Sequence, residues 1–274
     1  MLATVYIMAE FTNAPLIETV LGVQFAPIKE YTSALPAWFW KNYLGPEWNA
    51  VFDAPPLIDQ FETFEEQQRW APPGILFKLE AVSAPPRVKI ANGAEGRLIQ
   101  LQATRFIYNW EKRSGLYPHY ENVKAEFKRY FATWQRFLQD NALGEITPNQ
   151  WELTYVNRVA RGDLWQTPSD WHKILPGLLA QGMVEGDMRF EGFGGEWHYE
   201  IAPARGRVHV SVQFARIGAG EPVLVFQTTA RGPIGKETGL DIETGLDVGH
   251  SAAIDTFLGI TSGEAKRHWG MVRP

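Results

Sequence analysis

The sequence predicts one order of secondary structure elements twice. Each half of the chain begins with a strand, continues with a short helix and several antiparallel strands, and ends with a long helix. A repeated order restricts a chain of 274 residues to two similar units, or to one irregular α+β domain. We therefore predict an α+β fold.

Apolar periodicity places the individual elements. The strongest helix signal covers 118–141, where aromatic and aliphatic residues recur at spacings of three and four. A change of phase between two predicted strands, 98–102 and 106–110, predicts a hairpin turn at 103–105. Residues 57–70 fit a short helix or an edge strand. The other predicted elements are strand 16–25, helix 33–44, strands 75–82 and 87–90, strand 151–159, helix 169–179, strands 188–193, 196–202, 207–216 and 223–230, and helix 243–258.

This order is typical of the helix-grip, or TATA-binding-protein-like, unit, in which a curved sheet wraps its long C-terminal helix. We predict a tandem pair of such units, packed as one continuous saddle or as two lobes. The predicted parts are an N-terminal extension at 1–14, a first half at 15–145, and a second half at 146–274 that includes a short C-terminal helix. The alternative is a single α+β domain without duplication.

Composition excludes several classes of function. The chain has no cysteine, which removes disulfides, thiolate metal sites and cysteine nucleophiles. Its net charge of -5 argues against general nucleic-acid binding, and no run approaches the roughly 20 apolar residues of a membrane span. No phosphate-binding loop, dinucleotide fingerprint or hydrolase motif is present. We expect a cytoplasmic protein that uses no cofactor.

The predicted strands 196–202 and 207–216 form a hairpin whose pairing can be derived. A turn at 203–206 places Ala202 opposite Arg207, and apolar residues then share one face. The polar face could hold a divalent ion, but such residues are ordinary on a solvated sheet face, and we expect no metal to bind. The polar residues concerned are Glu196, His198, Glu200 and His209.

The first strand of each half carries one carboxylate, Glu18 in the first half and Glu152 in the second. Burial of an unpaired carboxylate is costly, so each needs a partner or a role as acid or base. Arg105 has the opposite parity to the aromatic residues that follow it, and we expect it to pair with these carboxylates. His250 lies on the apolar side of the last long helix, either satisfied within the packing or lining a pocket.

Several phrases together resemble a family of sporadically distributed prokaryotic proteins of about this length. They are Asn-Ala-Pro-Leu-Ile-Glu at 13–18, Arg-Phe-Ile-Tyr-Asn-Trp at 105–110, Trp-Glu-Leu-Thr-Tyr-Val-Asn at 151–157, and a histidine seven residues before Phe257 with Trp269 near the end. The family has no assigned activity, and its distribution implies an accessory role in mobile or defence gene clusters. The resemblance marks as binding candidates Glu18, Arg105, Asn109, Trp110, Glu152, Asn157 and His250.

We expect a non-catalytic binding or interaction protein whose partner is another protein or a small ligand. The absence of catalytic motifs and the 11 tryptophans favour this interpretation. The alternative is a hydrolase-like enzyme in which Glu18, Glu152 and His250 meet in a cleft between the halves.

Overall fold

The computed structural model describes residues 10–64, 85–113, 117–178, 190–218 and 220–273. Its strands are β1 Glu10–Phe11, β2 Leu16–Phe25, β3 Ala50–Ala54, β4 Arg87–Asn92, β5 Arg97–Gln102, β6 Arg105–Glu111, β7 Pro148–Ala160, β8 Gly195–Ile201, β9 Gly206–Ile217, β10 Glu221–Pro233 and β11 Met271–Arg273. Its helices are α1 Ala34–Tyr43, α2 Tyr120–Asp140, α3 Ile242–Ile260 and α4 Gly263–His268, with a 3₁₀ helix at Pro168–Lys173.

Nine strands form one antiparallel sheet in a mixed α+β fold. The strand order is β3-β4-β5-β6-β2-β7-β10-β9-β8, so β2 and β7 lie at the centre. After each of them the chain crosses to an edge strand, β3 or β8, and then meanders back towards the centre. Val20 pairs with Thr154 at the middle of the β2–β7 contact. A separate two-stranded ribbon joins β1 to β11. No helix within the described ranges is long and apolar enough to cross a membrane.

Helices α2 and α3 pack on the same face of the sheet. The apolar stripe of α2 is buried against aromatic residues of β6; Phe106, for example, contacts the rings of Phe127 and Phe131. Leu246 and Ala253 of α3 belong to the same core. Because side chains alternate along a strand, the polar residues between these core positions point to the opposite face. We call this second surface the helix-free face.

A tryptophan slot fixes α3 against the second half of the sheet. Trp151 is fully buried, and four glycines surround its indole ring so closely that a Cβ atom on any of them would clash with it. Glycine is required at these positions because only a residue without a side chain lets the backbones of β9, β10 and α3 approach one indole ring. The four glycines are Gly206, Gly232, Gly245 and Gly249.

Most predicted elements have counterparts at nearly the predicted bounds, including the hairpin turn after β5 and the helices α1, α2 and α3. The helix predicted at 169–179 is wrong in length, since only Pro168–Lys173 is helical and in 3₁₀ geometry. Residues 190–193 are not a strand, and residues 57–64 are neither helix nor strand. The strand predicted at 75–82 lies outside the described residues.

Candidate functional site

The helix-free face carries a charged cluster at the centre of the sheet. The side chain of Arg105 is 7% exposed and its Nη1 lies 3.6 Å from Oε2 of Glu152. Arg231 donates from Nε to the same oxygen at 2.7 Å. Burial lowers the pKa of Arg105, and the charge of Glu152 opposes this shift. The predicted pairing of Arg105 with Glu152 is therefore present, and Arg231 is a partner that the sequence did not suggest.

An extended segment crosses this face from β5 to β9. We call residues 55–64 the strap; they follow β3 and have no regular secondary structure. Buried glutamines from three strands bind its backbone. Gln102 accepts from the amide of Leu57 at 2.7 Å and donates to the carbonyl of the same residue at 2.8 Å. The backbone of the strap is therefore held by side chains rather than by strand pairing.

The next two backbone contacts of the strap lie on the central strands. Gln24 of β2 accepts from the amide of Gln60 at 2.9 Å, and Gln150 of β7 accepts from the amide of Glu62 at 3.4 Å. Arg105 adds a hydrogen bond of 3.0 Å to the carbonyl of Ile58. Because these hydrogen bonds are made to main-chain atoms of the strap, they do not depend on which side chains the bound segment carries.

Two large apolar side chains of the strap lie in water. Ile58 is 82% exposed and Phe61 is 59% exposed. A segment that crosses the face of a sheet is normally anchored by burial of such groups, at about 25 cal/mol per Å². Polar contacts are thus the main attachment of this part of the strap.

The far end of the strap is bound by its carboxylate. The side chain of Glu62 is 5% exposed and accepts from Nη1 of Arg207, with Nε2 of His209 at 2.7 Å and Nη1 of Arg231 at 3.4 Å. Burial raises the pKa of Glu62, but the hydrogen bonds and charges of His209, Arg207 and Arg231 outweigh burial and hold it below its usual value. The carboxylate is therefore ionised at neutral pH.

Glu18 lies on the helix-free face but far from Glu152. It accepts a hydrogen bond from Nδ2 of Asn109 at 2.5 Å, and burial raises its pKa while this bond opposes the shift. In the β2–β7 register Glu18 pairs with Val156 and Gly22 with Glu152. Four residues along a strand correspond to about 13 Å. The two carboxylates therefore do not form an acid–base pair.

The sheet separates the remaining candidates from this cluster. Trp110 is buried on the helix side against Tyr117, and Asn157 is buried on the same side. The structure thus brings Arg105 and Glu152 together and does not bring Trp110 or Asn157 to them.

His250 belongs to a polar network between α2 and α3. Its Nδ1 lies 2.7 Å from the hydroxyl of Tyr155, and its ring stacks on Tyr120 at 3.9 Å. Tyr120 in turn donates to Asp247 at 2.9 Å. Burial lowers the pKa of His250 to about 4, so the imidazole is neutral at pH 7. His250 is satisfied within the packing and lies across the sheet from Glu152.

The predicted hairpin forms with a register two residues from the one derived. His198, not Glu200, pairs with His209, and the two imidazoles meet through their Nδ1 atoms at 2.8 Å. Glu196, His198, Glu200 and His209 still lie on one face of the sheet, as predicted, because a shift of two residues leaves each side chain on the same side. Across the ranges that the structure describes, no three His, Asp or Glu side chains are placed to hold a metal ion.

Sequence reasoning missed the residues that bind the strap. Glu62 and Arg207 are 145 positions apart, and no local pattern connects them. The signal that was available is the series of polar residues on alternate positions of central strands, such as Gln100 and Gln102. Comparison adds no relative, since the chain matches no protein-family model, no curated protein and no solved structure.

Proposed function

We propose that this is a non-catalytic binding protein that holds an extended segment of a partner polypeptide on the helix-free face of its sheet. The supporting observation is the strap, an extended segment bound there through its backbone by Gln24, Gln102 and Gln150. A partner segment would take the place of the strap and form the same hydrogen bonds. The exchange would lose little apolar burial, because Ile58 and Phe61 of the strap are already exposed.

The geometry gives the hydrolase alternative no support. It requires Glu18, Glu152 and His250 in one cleft, whereas the carboxylates are about 13 Å apart along the strands and His250 contacts Tyr155 on the helix side. A general acid and base must reach one substrate through hydrogen bonds.

We also infer that the chain is a tandem pair of helix-grip-like units. In support, the strands run outward from the central pair in the same sequence, β2-β6-β5-β4 in the first half and β7-β10-β9-β8 in the second. Each long helix follows the strand that pairs with the central strand of its half, α2 after β6 and α3 after β10. Each also packs on its own half, α2 on β6 and β2, and α3 on β7 and β10. In this interpretation the binding face spans the junction of the two units.

A peptide array tests the proposed function. The full chain is prepared with Gln60→Pro and Glu62→Pro, which remove the two backbone amides that Gln24 and Gln150 bind and so vacate these glutamines. This variant should bind ten-residue peptides in extended form with little dependence on the side chains at the positions of Leu57 and Gln60, because Gln102 and Gln24 contact main-chain atoms there.

The matched control is the same variant with Gln24→Ala and Gln150→Ala, which should lose this binding. Thermal melts establish that both variants are folded. If the vacated face of a folded variant binds no peptide, the proposed function is wrong.

A further inference from the structure

The contact between Glu62 and strands β9 and β10 differs from the rest of the strap. Elsewhere the sheet contacts the strap mainly through main-chain atoms, but here it surrounds one side-chain carboxylate. Arg207, Arg231 and His209 approach that carboxylate from two neighbouring strands. Thr104 also donates to the carboxylate of Asp59 at 2.6 Å, but Glu62 is the described strap residue whose carboxylate contacts two guanidinium groups.

The charges around this contact favour an anion. The side chains of Arg207 and Arg231 are 6% and 12% exposed, so water solvates them poorly. Glu152 accepts from Nε of Arg231 and lies on the far side of that guanidinium from β9. Arg207 also donates from Nη2 to the carbonyl of Thr63 at 3.0 Å. The carboxylate of Glu62 thus meets two guanidinium groups and an imidazole, an arrangement that suits charge-assisted hydrogen bonds.

From this geometry, and resting on the proposed function, we infer that the partner segment is acidic and places a carboxylate side chain between Arg207, Arg231 and His209. The contacts of the strap indicate where in the partner segment this acidic residue lies. Gln150 binds the amide of Glu62 itself, and Gln24 binds the amide of the residue two positions earlier. The acidic residue is therefore the one whose own amide contacts β7. Glu62 is the internal equivalent of the partner's carboxylate.

Two peptides on one protein variant test the inference. The probes are a fluorescent ten-residue peptide with the sequence of residues 55–64 and the same peptide with glutamine in place of its glutamate. The protein is the full chain with Gln60→Pro and Glu62→Pro, which lacks both the amides bound by Gln24 and Gln150 and the carboxylate of Glu62, and fluorescence anisotropy gives each Kd. The glutamate peptide should bind at least about tenfold more tightly, as expected when a charged hydrogen-bonded pair replaces a neutral one.

Equal affinity of the two peptides would overturn the inference but leave the proposed function intact. Failure of both to bind would overturn the proposed function itself. A charge reversal provides the second test: with Arg207→Glu added, a peptide carrying lysine at the same position should bind more tightly than the glutamate peptide. If that variant does not fold, Arg207→Gln replaces it and should abolish the preference for glutamate; a preference that persists contradicts the inference.

Discussion

Replacing Gly249 of α3 by alanine should destabilise the protein, although alanine favours a helix. A Cβ atom at this position would lie 2.5 Å from Cζ3 of Trp151 and 3.3 Å from Cβ of Ala230. The indole cannot move away, because the backbones of Gly206 and Gly232 lie against its opposite edge. The variant must therefore displace α3 from the sheet or distort the side chain of Trp151.

The two opposing contributions have known sizes. Alanine gains about 1 kcal/mol over glycine in a helix interior. Overpacking of a rigid core costs about 1–3 kcal/mol, and the upper value applies because the required displacement is close to 1 Å. The expected net loss of unfolding free energy is thus about 2 kcal/mol, which for a chain of this size lowers Tm by roughly 4–8 °C.

A thermal melt of two matched variants measures this effect. Gly259 lies in the same helix, and a Cβ atom there would meet nothing within 4 Å. Gly259→Ala should therefore leave Tm unchanged or raise it slightly. Trp151→Phe makes room at the ring, so Gly249→Ala should cost less in that background. A Gly249→Ala variant that melts at or above Gly259→Ala would refute the packing argument.

Three further outcomes are expected. Arg105→Ala should lower the free energy of unfolding by about 2 kcal/mol, since it removes hydrogen bonds of a buried cation. In melts of double variants this loss should be non-additive with Glu152→Gln and additive with Glu18→Gln. Equal coupling to both carboxylates would contradict the observed β2–β7 register. His250 has a folded pKa of about 4, below the ordinary histidine pKa of about 6.5 that applies in the unfolded chain. As pH drops, the unfolded chain therefore binds a proton at this histidine first, and the free energy of unfolding falls between pH 6.5 and 4 by at most about 3 kcal/mol. Chemical denaturation of His250→Gln should show a shallower fall of this free energy with pH. A fall as steep as in the unchanged protein would mean that other groups cause it. Asp241 accepts from the amide of Thr244 at 2.8 Å at the start of α3, so Asp241→Ala should cost about 1 kcal/mol while Asp241→Ser retains most of the stability; equal losses would exclude a capping role.

Local periodicity explains why much of the fold was predictable. Alternation along β6 placed Arg105 opposite the aromatic residues, and the structure has Phe106 in the helix-side core and Arg105 on the helix-free face. Parity also survived an error of two residues in the β8–β9 register. The apolar stripe of α2 predicted its buried face for the same reason, since neighbouring residues alone determine it.

The sequence by itself determined which side chains share a face, whereas the tertiary structure decided which strands are neighbours and which residues meet. The pairing of β2 with β7 separates Glu18 from Glu152 by four residues, and the path of the strap brings Glu62 to Arg207. Contacts between residues so distant in the chain depend on how all the elements pack together, because the free energy of closing a long loop is recovered only from the complete core. The candidate binding site belongs to this second class, since its cations lie on β9 and β10 and its carboxylate lies in a segment with no periodic pattern.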